Sequence, residues 1–364
     1  MKRLFSIHMI VLLLTVLLSS FLPNHASAHV TSYGYMDIQE GTEEVQINLT
    51  LDYQELAEAF GFFDIFDSSF STAELEERLL ENEENLMKYI TSGVRVYRDE
   101  LICEPQHIDT KVSIANTNHP LAHFELLYPC KGDSTRISYD LLVDDINRSH
   151  INFATVNGDK GTQEFTFTIA EREMVIGEHN WLRQARNYVL LGFDHILTGY
   201  DHILFVLCLI LPAAISFGRV IEVVTAFTLG HSITLGLATL EIVSLPDQLV
   251  ESAIYLSIIY VAVENLFKWE SKKRWLITLV FGLIHGFGFS GILQEMELSS
   301  STIASSLLFF NIGVEVGQIA IIALVFPLFV WARKYKPFPY FVSTSSALII
   351  TIGLIWFVQG LGGF

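Results

Sequence analysis

Beyond Trp181 the chain carries six long apolar runs, at roughly 187–211, 218–240, 249–267, 275–294, 302–331 and 340–360. A helix needs roughly 20 apolar residues to cross a bilayer core, and a lone chain in lipid must satisfy its own backbone, as helices do. The second half is therefore expected to be an all-α polytopic membrane bundle of six transmembrane helices. The loops orient it. Lys268, Lys272, Lys273 and Arg274 follow the third run, Arg333, Lys334 and Lys336 follow the fifth, and Arg219 opens the second. The opposite loops hold Glu241, Asp247, Glu295 and Glu297, with no Lys or Arg. Basic loops stay cytoplasmic, which puts residue 180 and the C-terminus outside. Before the first run, Asn180–Tyr188, with Trp181, Arg183 and Arg186, is expected along the interface.

The first half has a different composition. The chain has 22 Lys+Arg against 40 Asp+Glu, and residues 29–180 hold 10 of the basic and 29 of the acidic residues. Residues 181–364 hold 10 and 11. Such an acidic balance argues against a nucleic-acid partner. Charged residues make up only 17%, against about 25% for soluble proteins, so a wholly soluble enzyme is also improbable. Lys2 and Arg3, the apolar run through Leu22 and the small residues Ala26-Ser27-Ala28 form a secretory signal; an uncleaved anchor is the alternative. The expected organisation is a signal peptide over 1–28, an exported acidic β-rich domain over 29–176 and a six-helix membrane domain over 177–364. The location is the plasma membrane, multi-pass, with the N-terminal domain extracytoplasmic.

In the exported half, Val45, Ile47, Leu49 and Leu51 alternate with Gln46, Asn48 and Thr50, the period of a half-buried strand. Further strands are expected at 93–98, 111–115, 123–127, 135–142, 150–155 and 164–169. Between the first of them, Ser71 or Thr72 caps a helical insertion marked by Leu75, Leu79, Leu86 and Ile90. The pattern is that of a sandwich-like, mostly-β domain. An oxidising compartment favours a disulfide between Cys103 and Cys130, while Cys208, in an apolar run, reads as a small buried hydrophobe. His107, His119 and His123 match no metal motif. His29, as a mature N-terminus, would offer an amine and an imidazole to a cation.

Ionisable groups within a bilayer cost several kcal/mol unless paired or hydrated, yet the apolar runs carry many. The first contains Asp194-His195 and, nearly two helical turns later, Asp201-His202, so both pairs are expected on one face, about 10 Å apart along the axis. The second contains His231-Ser232, the third Glu264-Asn265 and the fourth His285 within GLIHGFG. The fifth contains Asn311, Glu315 and Gln318 on one face. Asp201, His202, His231, His285 and Glu315 fall near mid-bilayer. Imidazole with carboxylate is the ligand set of nickel, cobalt or zinc, and the glycines around His285, with Gly313 and Gly317, allow close helix packing. The candidate metal ligands are His195, Asp201, His202, His231 and His285. Asp194, Glu264, Glu315, Asn311, Gln318 and Ser232 are candidates for supporting or pathway roles. Glu264 can also pair locally with Lys268.

The segment His195-Ile-Leu-Thr-Gly-Tyr-Asp201-His202 resembles the His-x5-Asp-His signature of the HupE/UreJ family, membrane proteins associated with nickel or cobalt uptake. Gly282–Gly288 is similar to that family's second motif, and the resemblance extends over about 185–364. It differs where Phe281 replaces the motif's first His and Gly288 its Glu, so the resemblance implies the fold and a metal site but not nickel in particular. The first half is similar to the exported extension of one branch of the family.

The leading expectation is a divalent-metal permease or metal-handling protein. In it Asp194 and His195 receive the ion, Asp201, His202, His231 and His285 hold it, and Glu264 takes it on the inner side. Its partners are the lipid bilayer and the metal ion, with any protein partner unknown. The alternative is an intramembrane zinc-dependent hydrolase, with Ser232 beside His231. A sensor or assembly factor whose acidic domain binds a partner is a third possibility.

Overall fold

The structure, a computed structural model, describes residues 32–61, 71–114, 120–148, 150–158, 161–178, 181–212, 216–240, 242–267, 273–289 and 300–362. The expected signal peptide, His29, His119, Glu241, Lys268, Lys272, Glu295 and Glu297 lie outside them. The chain divides into two compact units, one ending at Gln184 and the other beginning at Ala185.

The first unit is built on strands β1 (Tyr33–Glu40), β2 (Glu44–Asp52), β3 (Val94–Arg98), β4 (Leu101–Ile102), β5 (Gln106–Ile114), β6 (Pro120–Pro129), β7 (Thr135–Tyr139), β8 (Ile151–Gly158), β9 (Gly161–Phe167) and β10 (Glu173–Val175). Six of them form a mixed sheet in the order β5-β6-β2-β1-β8-β9, and four form a second sheet, β10-β7-β3-β4. The alternation in β2 sets its register. Ile47 and Leu49 stand opposite Leu126 and Phe124 of β6, and all four enter a buried cluster that also takes Val94, Val96, Ile137 and Tyr139 from the second sheet.

Between β2 and β3 the described residues form α1 (Tyr53–Phe60), α2 (Thr72–Glu81) and α3 (Glu83–Gly93). Ser71 and Glu74 cap α2 reciprocally, each side chain bonding the other's backbone, and Leu75, Leu79, Leu86 and Ile90 turn into the same core. Cys103, just past β4, is disulfide-bonded to Cys130, just past β6, with α-carbons 5.7 Å apart. The bond ties the edge of the smaller sheet to the larger one. His107 lies 3.2 Å from Glu83, and His123 sits between Thr50 and Ser113.

The strand expectations are corrected in two respects. The strand expected to run to Leu142 stops at Tyr139, because the chain turns and Leu142 takes a φ of 62°. The central strand β1 was not expected at all.

The second unit is helical: α4 (Trp181–Thr198), α5 (Tyr200–Ile210), α6 (Phe217–Thr239), α7 (Asp247–Phe267), α8 (Arg274–His285), α9 (Ser300–Ala332) and α10 (Phe338–Gly362). A single turn of 3-10 helix, Gly286–Phe289, follows α8. Among the described residues, four helical stretches are long and apolar enough to cross a membrane unaided: Phe217–Thr239, Gln248–Phe267, Ile303–Ala332 and Phe338–Leu361. The 23 residues of α6 extend about 34 Å, enough for a core of about 30 Å. This is a multi-pass membrane protein. The fourth apolar run, expected to continue to 294, leaves the α-helix at His285.

The first run is also not one straight helix. α4 and α5 meet at a 73° bend where Gly199 takes φ −73°, ψ 98°. The expectation that both Asp-His pairs share one face about 10 Å apart is thereby overturned. The bend folds the second pair back toward the first.

Candidate metal centre

Four histidines from four helices converge inside the bundle. His195, near the end of α4, His202, in the first turn of α5, His231 of α6 and His285 at the end of α8 are all buried. Ring centroids lie 4.7 Å apart for His195–His202, 6.1 Å for His195–His231, 6.2 Å for His202–His231 and 5.3 Å for His202–His285. Asp201 is buried beside them.

Glycine makes the approach possible. A Cβ on Gly199 would stand 2.7 Å from Nδ1 of His202 and 2.9 Å from the His195 carbonyl, closer than real Cβ contacts permit. A Cβ on Gly230 would run into the carbonyl of Leu279, and one on Gly282 into the carbonyl of Phe227. The backbones of α6 and α8 therefore touch, which sets His231 and His285 on adjoining helices near the His202 ring.

Each of three rings is held at one nitrogen. Nδ1 of His202 donates to Oδ1 of Asp201 at 3.0 Å. Nδ1 of His231 lies 3.4 Å from Oδ1 of Asn311, and the Asn311 amide nitrogen donates to the Leu307 carbonyl at 2.7 Å. The oxygen of Asn311 is thus the atom facing His231, and it accepts. Nε2 of His285 lies 2.9 Å from Oγ of Ser257, whose own proton goes to the Ile254 carbonyl at 2.6 Å; that oxygen also accepts. A neutral ring that donates from one nitrogen keeps its lone pair on the other. The remaining nitrogens are Nε2 of His202, Nε2 of His231 and Nδ1 of His285, buried and without a hydrogen-bond partner among the described residues. A polar atom buried so costs about 1–3 kcal/mol, and a purely structural bundle has no reason to carry three. Buried lone pairs on rings fixed at the other nitrogen are what a cation requires.

Among the described residues, two groups of three side chains have ligand atoms within 4.8 Å of one another: His195, His202 and His231, and Asp201, His202 and His285. The other candidates belong to neither group. Asn311, Glu315 and Gln318 all face α6, where Thr225 donates to Glu315 at 2.5 Å and Thr228 to Gln318 at 2.9 Å. Ser232 donates back to the Thr228 carbonyl at 2.7 Å. Asp194 is half-buried, and its carbonyl takes the Thr198 hydroxyl. Glu264 is buried and lies 3.4 Å from Nε of Arg274; Lys268, the partner expected from helical spacing, is outside the described residues. Ser257 was missed by sequence reasoning; a lone serine in an apolar run carries no mark until its partner is known.

The HupE / UreJ family model matches residues 170–360. The chain belongs to the HupE/UreJ family. That family is associated with nickel and cobalt transport or metallocentre maturation, and the match takes in the whole histidine cluster. Among curated proteins none matches the chain. At the two positions that depart from the HupE/UreJ motif, Phe281 packs on Phe205 and Tyr260 at centroid distances of 6.0 and 5.5 Å, and Gly288 lies in the 3-10 turn after α8.

Proposed function

We propose that the protein is a divalent transition-metal permease whose cargo binds within the bundle at His195, Asp201, His202, His231 and His285. The observation that carries this reading is the set of three buried ring nitrogens without partners, each on an imidazole fixed from behind. Nitrogen-rich ligands favour nickel, cobalt or zinc over magnesium or calcium, which take oxygen. Asp194, Glu264 and Glu315 supply further carboxylates along the path, and a conduction route needs several sites weak enough to release the ion.

The same reading has six membrane passes, a cleaved signal over 1–28 and the β-rich domain on the extracytoplasmic side. The basic loops of the sequence support that orientation. A zinc hydrolase would keep an open coordination position for water, and the Ser232 hydroxyl that this alternative uses donates to the Thr228 carbonyl.

The test is cation flux. Proteoliposomes holding the full chain should admit cobalt or nickel, and His202→Ala should reduce entry to background. Tightly held stoichiometric zinc with no flux would contradict the permease and favour the hydrolase.

A further inference from the structure

We propose that the centre offers the cation two alternative positions that share His202, and that the cargo moves between them by pivoting on that one ring. The inference rests on reading the cluster as a metal site. His202 belongs to both groups of converging ligand atoms, whereas His195 and His231 enter one and Asp201 and His285 enter the other. A tetrahedral ion with bonds of about 2.0–2.1 Å sets its donors roughly 3.4 Å apart, so either group closes on an ion with small side-chain movements.

The tethers explain why His231 and His285 stay separate. Asn311 of α9 holds His231, and Ser257 of α7 holds His285. Each ring is anchored to a different neighbouring helix, so neither follows the ion into the other's position. His202 lies between them, with centroids 6.2 Å from His231 and 5.3 Å from His285, and its Nε2 has no hydrogen-bond partner among the described residues.

The two positions differ in chemistry. The first presents three imidazoles. The second presents two imidazoles and a carboxylate, which stabilises a dication more strongly in a buried setting of low dielectric. The first is thus the looser receiving position and the second the tighter holding position. In the transfer the bonds to Nε2 of His202, His195 and His231 break and bonds to Nδ1 of His202, Asp201 and His285 form, while the proton that Nδ1 shared with Asp201 moves to the vacated Nε2. The oxidation state does not change, and both positions lie on the same His202 ring.

Cobalt alone is a sufficient probe, because its visible absorption reports the ligand set. In the full-length protein, His231→Gln and His285→Gln should each still bind one cobalt per chain, with spectra that differ from each other, and both should lose flux. His202→Gln should bind none. Loss of cobalt binding in either His231→Gln or His285→Gln would overturn the two positions in favour of a single shared site. Failure of the wild-type chain to bind cobalt would instead overturn the metal reading beneath it. Where one of these variants does not fold, His195→Gln replaces His231→Gln and Asp201→Asn replaces His285→Gln, each disabling the same position.

Discussion

Ser257 on α7 fixes the direction in which His285 on α8 offers its lone pair. The serine hydroxyl donates to the Ile254 carbonyl at 2.6 Å and accepts from Nε2 of His285 at 2.9 Å, leaving Nδ1 buried and without a hydrogen-bond partner among the described residues. Partners that orient a metal-binding ring in this way typically contribute 10–100-fold in affinity. Ser257→Ala is therefore expected to weaken zinc or cobalt binding by about that factor while His285 itself remains. Competition against a chromophoric chelator measures it, and an unchanged affinity would show that the tether is not used.

The contact between α6 and α8 should tolerate no added methyl group. Gly230→Ala drives a Cβ into the Leu279 carbonyl, whereas Gly236→Ala, on the same helix, would meet only the Leu307 side chain at 3.7 Å. Overpacking a tight interface costs about 1–3 kcal/mol. Thermal unfolding in detergent should show a clear loss for Gly230→Ala and almost none for Gly236→Ala.

The disulfide closes a loop between residues 27 positions apart, which by chain entropy stabilises the β-rich unit by about 3.5 kcal/mol. Replacing both Cys103 and Cys130 by Ser should raise hydrogen exchange throughout β3, β4 and β6. Metal binding in the helical unit should be unaffected.

Burial holds the His123 imidazole below its usual value of 6.5. The neutral ring is bonded to Thr50 at 3.0 Å and to Ser113 at 2.6 Å. The unfolded chain, with the ordinary value, takes up a proton first as pH falls. The contribution of His123 to stability is therefore complete above about 6.5 and is lost as pH drops below it toward the lower folded value. Hydrogen exchange of β6 peptides in the full chain should quicken across that range, and His123→Gln should flatten the response.

Much of this was legible in the sequence where the signal is local. The alternation in β2, the capped insertion and the Leu75/Leu79/Leu86/Ile90 stripe each follow from a hydrophobic period. β1 was not legible, because Gly34, Asp37 and Gln39 dilute its pattern, and its place is set by pairing with the distant strand β8. In the helical unit the buried His and Asp residues stood out against apolar runs. Their grouping did not, since it depends on the bend at Gly199 and on tethers from Ser257 and Asn311, on two other helices. A contact of Glu264 with Arg274, beyond its own helix, was not legible either.

The central claim is that the interior histidines hold the cargo, and X-ray absorption at the zinc edge of the loaded, full-length protein tests it most directly. The account predicts imidazole nitrogens at about 2.0–2.1 Å, with the outer-shell scattering of the ring, and loss of that signal in His202→Gln. A shell of oxygens alone, or an imidazole signal that survives His202→Gln unchanged, would contradict it.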